Sequence, residues 1–161
     1  MSTPQVAILI GSTSDSDSMA QTGAVLDEFG VSYETRVLSA HRTPHDTSLY
    51  IQDAEARGIQ VFIAGAGYAA HLAGVVAAHT TRPVIGVPLA SSPLAGVDAL
   101  YSTVQMPGGV PVATMTIGAA GAKNAGLFAV QILSCQHEEL REQLRRHREA
   151  MRAAVLAANP D

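Results

Sequence analysis

Val6-Ala7-Ile8-Leu9-Ile10-Gly11-Ser12-Thr13-Ser14-Asp15 opens with five apolar residues in a row and closes on a glycine and a polar turn. Apolar side chains on both faces suit a strand covered on each side by helices, as in parallel sheets. Residues 19–29 follow with helical patterning and stop at Gly30. The same order then repeats. Residues 31–38 alternate as a strand. Residues 44–57 read as a helix, with Pro44 at its first position, Thr43 as a cap candidate and Gly58 as its terminator. Residues 59–64 form a third strand, 69–79 a short helix, 83–87 a fourth strand, 97–104 a helix, 112–117 a fifth strand and 120–135 a helix apolar nearly all round. Strands alternating with helices over short connections predict an α/β domain with a doubly wound parallel sheet.

The 161 residues suffice for one such domain, spanning 1–161, and no linker, repeat or low-complexity stretch divides them. The last segment, 137–158, adds a C-terminal helix. Its Leu140, Leu144, Met151 and Val155 share one stripe, which must pack on its own domain or on a neighbouring subunit. The apolar 120–135 helix and the abundance of glycine (14) and alanine, which permit close approach, favour an oligomer. A formal charge of −4 argues against general nucleic-acid affinity. Five of the ten Lys/Arg lie in the last helix among Glu138, Glu139, Glu142 and Glu149, the pattern of a solvated, ion-paired face. The single cysteine, Cys135, forbids an intrachain disulfide and reads as a buried, inert thiol. No basic region followed by an apolar stretch and cleavage site opens the chain, and no apolar run approaches a membrane span, so a soluble cytoplasmic protein without membrane or nucleic-acid partners is expected.

Three loops at the carboxyl ends of predicted strands carry the chemistry, where open α/β sheets bind ligands. Gly11-Ser12-Thr13-Ser14-Asp15 offers hydroxyls, a carboxylate and the N–H groups of a following helix, a setting for a phosphate, with Asp15 free to accept from ribose hydroxyls. Ser14, Asp15 or Asp17 as a simple helix cap, or Asp15 and Asp17 as metal ligands, are the alternatives. Ser39-Ala40-His41-Arg42-Thr43-Pro44 joins a group that gives or takes a proton near neutrality to a fixed cation suited to bidentate anion binding. Gly65-Ala66-Gly67-Tyr68-Ala69-Ala70-His71 superficially matches a dinucleotide fingerprint. No acid occurs between Glu55 and Asp98 to hold a ribose, so nicotinamide binding is disfavoured. Gly67 still marks a close approach of backbone to a ligand or neighbour, and His71 is either a second polar group in the site or a helix cap. His45, His79, His137 and His147 form no pair at metal spacing. Ser12, His41 and Asp15 compose a triad only on paper, since the Gly-x-Ser-x-Gly elbow is missing. Lys123 and Asn124, at a small-residue helix start, suit capping and subunit contact better than ligand binding.

Gly11-Ser12-Thr13-Ser14-Asp15, the 39–44 hexapeptide, Gly65-Ala66-Gly67-Tyr68-Ala69-Ala70-His71-Leu72, Pro83-Val84-Ile85-Gly86-Val87-Pro88 and Val104-Gln105-Met106-Pro107-Gly108-Gly109-Val110-Pro111 together resemble class I N5-carboxyaminoimidazole ribonucleotide mutases, the catalytic subunits of phosphoribosylaminoimidazole carboxylase. The resemblance runs from about residue 5 to residue 135, in order and with matching spacing. It implies a three-layer flavodoxin-like fold, a homo-octamer with sites at subunit junctions, and no cofactor or metal. It implies conversion of N5-carboxyaminoimidazole ribonucleotide to 4-carboxy-5-aminoimidazole ribonucleotide in purine biosynthesis, downstream of an ATP-dependent carboxyaminoimidazole ribonucleotide synthase. It places the catalytic histidine at His41, substrate binding at Ser12, Asp15 and Arg42, and further site positions at Ser14, Ser39, Gly67 and His71. Two residues depart from the family pattern: Tyr68 replaces a glycine and Ala73 a proline. A direct aminoimidazole ribonucleotide carboxylase and a non-catalytic nucleotide-binding module are the rival readings. The animal-type carboxylases carry a lysine-bearing histidine loop, whereas this chain has Arg42 and Gly65-Ala66-Gly67, so it sides with the mutases.

Overall fold

The computed structural model describes residues 3–159. Its elements in chain order are β1 (Val6–Ile10), a 3-10 turn (Thr13–Asp15), α1 (Ser16–Glu28), β2 (Tyr33–Val37), α2 (Pro44–Ala56), β3 (Val61–Ala66), α3 (Leu72–His79), β4 (Val84–Pro88), α4 (Val97–Val104), β5 (Ala113–Thr114), α5 (Ala119–Ser134) and α6 (Glu138–Ala157). All strand pairs are parallel and the sheet order is β2-β1-β3-β4-β5. This is the flavodoxin-like order, with its switch point between β1 and β3. The fifth strand is shorter than its apolar run predicts. Beyond Thr114 the chain still follows β4, with Met115 N–H on the Gly86 carbonyl (2.9 Å) and Gly118 N–H on that of Pro88 (2.9 Å), but no longer as a regular ladder.

The continuous apolar runs are explained by helices on both faces. Val6, Ile8 and Ile10, with Val61, Ile63, Ile85 and Val87, pack against α1 and α5. Ala7, Leu9, Phe62, Ala64 and Val84 pack on the other face, against Ile51 and Ala54 of α2 and Leu72, Ala73 and Val76 of α3. The alternation follows from the two-residue period of a strand. β2 is an edge, and its exposed Thr35 and Arg36 suit that position.

Helix α5 uses its small residues inside the chain rather than between subunits. A Cβ at Gly126 would lie 2.9 Å from Val25 Cβ and 3.0 Å from the Thr22 carbonyl, so α1 and α5 touch through glycine. The buried Thr22 hydroxyl closes the contact by donating to the Ala122 carbonyl at 2.8 Å. Part of the apolar girdle of α5 is thus used within the chain, while Leu127, Phe128 and Ile132 are only partly buried. Leu140 and Leu144 of α6 pack on the chain's own core, whereas Met151, Val155 and Leu156 farther along the helix are exposed. Cys135 corrects its expectation: it caps the end of α5 and is exposed, because the apolar stripe ends two residues earlier, at Leu133. Among the described residues no helix is long and apolar enough to cross a membrane.

Candidate active site

The site forms where β1, β2, β3 and β4 release their chains at the same edge of the sheet. Backbone bonds carry the ladder into the loops: Leu38 N–H donates to the Ile10 carbonyl (2.9 Å), Gly11 N–H to that of Gly65 (3.2 Å) and Leu89 N–H to that of Ala66 (2.9 Å). The loops enclose a cavity of about 410 Å³. Every position expected from the sequence lines it: Ser12, Ser14, Asp15, Ser39, His41, Arg42, Gly67 and His71.

The first loop is ordered by its own hydroxyls. Ser12 Oγ accepts from the Ser14 hydroxyl (3.0 Å) and, weakly, from the Ser14 N–H (3.4 Å). Ser12 thus caps the 3-10 turn, and Asp15, at the start of α1, makes no capping bond with its side chain. The Asp15 carboxylate points instead toward the cavity, 6% exposed, and accepts from the Ser91 hydroxyl at 3.3 Å. Burial pushes its carboxyl above the ordinary 3.8, only partly countered by hydrogen bonds from Ser91 and the Ser12 backbone and by the Arg42 charge.

The second loop is a clasp around Ser39. Ser39 Oγ accepts from both the backbone N–H (3.2 Å) and the Nε (3.3 Å) of Arg42. Thr43 Oγ1 accepts from the Ser39 N–H (2.9 Å) and donates to its carbonyl (3.1 Å), so Thr43 shapes the loop rather than capping α2. Arg42 Nη2 reaches the Gly11 carbonyl at 2.9 Å and fastens the second loop to the first. Among the described residues no carboxylate lies in salt-bridge contact with Arg42, which leaves its charge available to an anion.

The third loop delivers the partner of His41. His41 Nε2 and His71 Nδ1 are 2.7 Å apart, with the rings edge-on at 81°. Which ring donates depends on the tautomers, but the contact needs a proton on one nitrogen only. His71 occupies the N-cap position of α3 without making a capping bond, and its ring lines the cavity instead. Gly67 is required by close approach: a Cβ there would lie 2.5 Å from Ser91 Oγ. Tyr68, the departure from the family glycine, holds φ at +52°, the left-handed region where glycine is at ease.

Ser91, on the loop after β4, was not anticipated, although a serine following a strand's carboxyl end is the signal that marked Ser12 and Ser39. Lys123 and Asn124 lie in α5 and do not line the cavity. No three His, Cys, Asp or Glu side chains among the described residues converge in metal-binding geometry. Ser12 makes no hydrogen bond to His41, so the paper triad is not assembled.

The chain is similar to known proteins over nearly its whole length. The mutase of Bacillus subtilis, an N5-carboxyaminoimidazole ribonucleotide mutase, is 55% identical over 156 residues, 97% of this chain and 96% of the relative. The enzyme of the same name from Saccharolobus solfataricus is 52% identical over 154 residues, 96% of each chain. The crystal structure of Treponema denticola PurE superposes with a TM-score of 0.87 at 30% identity, covering 96% of this chain and 95% of that one. Residues 5–154 match the family described as AIR carboxylase, and the chain belongs to that family.

Proposed function

We propose that this chain is an N5-carboxyaminoimidazole ribonucleotide mutase, moving a carboxylate from the exocyclic nitrogen to the ring carbon to give 4-carboxy-5-aminoimidazole ribonucleotide. The observation that carries the proposal is the His41–His71 contact of 2.7 Å beside Arg42, in a cavity that also presents the Asp15 carboxylate and the Ser12, Ser14 and Ser39 hydroxyls. The near-identity in length and the 55% identity to a mutase support it.

The chemistry needs little more than these parts. The carbamate C–N bond breaks, releasing CO2, and the nitrogen takes a proton. The ring carbon then attacks CO2, a C–C bond forms, and the carbon loses its proton. One proton is given and one is recovered, so a single shuttle is sufficient. His41 performs both transfers, and His71 holds its ring and the shared proton in place. General acid–base help of this kind is worth about 10²–10⁴-fold. Confining CO2 beside the carbon turns recapture into an intramolecular step, which contributes more. Arg42, with the Ser12, Ser14 and Ser39 hydroxyls, holds the phosphate, and Asp15 accepts from the ribose.

The proposal includes the remaining expectations. One domain spans 1–161 and needs no cofactor or metal. The enzyme works in the cytoplasm as a homo-octamer, supplied by an ATP-dependent carboxyaminoimidazole ribonucleotide synthase. The exposed Leu94, Val97, Tyr101 and Val104 around α4, and Met151, Val155 and Leu156 of α6, support burial between subunits. The test is a proton-NMR or absorbance assay of the purified protein with N5-carboxyaminoimidazole ribonucleotide and no ATP. Turnover independent of added bicarbonate is expected. Turnover of aminoimidazole ribonucleotide with bicarbonate, and none of the carbamate, identifies a direct carboxylase instead. No turnover of either leaves a nucleotide-binding module.

A further inference from the structure

Tyr68 has no role in the fold. It belongs to neither apolar cluster, makes no hydrogen bond among the described residues and is 59% exposed. Its backbone sits at φ +52°, a conformation uncommon for bulky residues and found where surrounding structure imposes it. That structure is visible on both sides: Gly67 is pressed against Ser91, and Ala70 is 2% exposed. The ring therefore stands on a rigid stem. It also lines the cavity, and it is the one phenyl-type ring that does; the other aromatic groups there are the two imidazoles. A ring that lines a cavity and is more than half exposed stands at its rim.

We infer that Tyr68 is a specificity-determining residue whose ring covers the planar heterocycle of the bound nucleotide. This rests on the reading that the site takes an imidazole ribonucleotide. Arg42 and the serine loops grip the sugar phosphate, which every such ligand shares, and His41 serves the reacting atoms, which leaves the flat face of the heterocycle without a partner of its own. An aromatic face supplies that partner without a hydrogen-bond pattern to match, and such stacking is worth about 5–150-fold in affinity.

Calorimetric titration of wild type, Tyr68→Phe and Tyr68→Gly with 4-carboxy-5-aminoimidazole ribonucleotide and, separately, ribose 5-phosphate tests this. Tyr68→Gly is expected to bind the imidazole nucleotide at least about 5-fold more weakly, with ribose 5-phosphate unchanged within about twofold. Its KM should rise while kcat stays within about threefold, and its melting temperature should equal or exceed that of wild type, since glycine relieves the left-handed backbone. Tyr68→Phe should keep wild-type affinity, because the face and not the hydroxyl does the binding. The chain has four tyrosines and no tryptophan, and Tyr33, Tyr50 and Tyr101 do not line the cavity. Ligand should therefore quench tyrosine emission in wild type and not in Tyr68→Phe, a readout independent of the glycine variant's folding. Equal affinity of wild type and Tyr68→Gly for the nucleotide overturns the inference, as does an equal loss for both ligands. Failure of wild type to bind the imidazole nucleotide overturns the functional reading itself, and this inference with it.

Discussion

Gly67→Ala should disturb the site by displacing Ser91, a residue that no sequence motif marks. The added methyl would lie 2.5 Å from Ser91 Oγ, 2.6 Å from Ser91 Cβ and 3.3 Å from the Leu89 carbonyl. Ordinary carbon contacts are about 3.5–4.0 Å, so Ser91 must retreat by about 1 Å. Overpacking of this kind costs about 1–3 kcal/mol, which lowers the melting temperature of a chain this size by about 2–12 °C. The retreat also breaks the 3.3 Å bond from Ser91 to Asp15 and lets the carboxylate swing. Losing one well-directed hydrogen bond to substrate is worth about 0.5–1.5 kcal/mol, or about 2–12-fold in KM. Adding Ser91→Gly separates the two effects, because it removes both close atoms together with the hydroxyl. The double variant should recover at least half of the lost melting temperature, short of all of it since the Leu89 carbonyl remains close, while its KM stays high. Thermal melts and steady-state kinetics on the single and double variants read both quantities. A Gly67→Ala protein with wild-type melting and KM refutes the reasoning, and so does a double variant no more stable than the single one.

Other perturbations separate the roles of the loops. His41→Asn should abolish turnover, a loss of about 10²–10⁴-fold or more, while calorimetry still shows nucleotide binding. Arg42→Ala should instead weaken binding of the phosphorylated ligand by about 10–150-fold, the worth of a charge-assisted bond, and unchanged affinity would mean that the phosphate sits elsewhere. Asp15→Asn should alter the pH dependence of stability. The folded state holds the Asp15 proton more tightly than the unfolded chain, so its contribution is greatest below the ordinary 3.8 and declines as pH rises through the raised value. Urea titrations of wild type and variant from pH 3 upward should show the variant gaining relative stability across that window, and then a constant difference toward neutrality. A variant that loses stability relative to wild type as pH rises contradicts the burial argument.

Much of the fold could be read from local pattern. Val6–Ile10 and Val84–Pro88 announce a doubly covered sheet because both faces must be apolar, and short connections enforce parallel crossovers. The ends of elements were less legible. Residues 112–117 are apolar enough for a full strand, yet only Ala113–Thr114 pair regularly, although β4 runs on to Pro88. The three site loops were visible because hydroxyls, histidine and arginine cluster there within a few residues. What joins them was not. Ser91 meets Asp15 across 76 positions and His71 meets His41 across 30, and no local spacing encodes such distances. The same limit explains the misjudged Cys135, whose exposure depends on where α5 ends, and the packing of Gly126 on α1, which the pattern alone leaves open.

Ile10 pairs with both Val37 and Gly65, so His41 and His71 arrive from opposite sides of β1, two strand spacings apart, and meet above its end. One of these supports is the outermost strand, the part of a sheet that frays first. Warming should therefore part the imidazoles before the interior melts, and amides of Tyr33–Val37 should exchange with solvent at temperatures where those of β3 remain protected. Heat inactivation would then report the fraying of one border strand and precede collapse of the molecule as a whole.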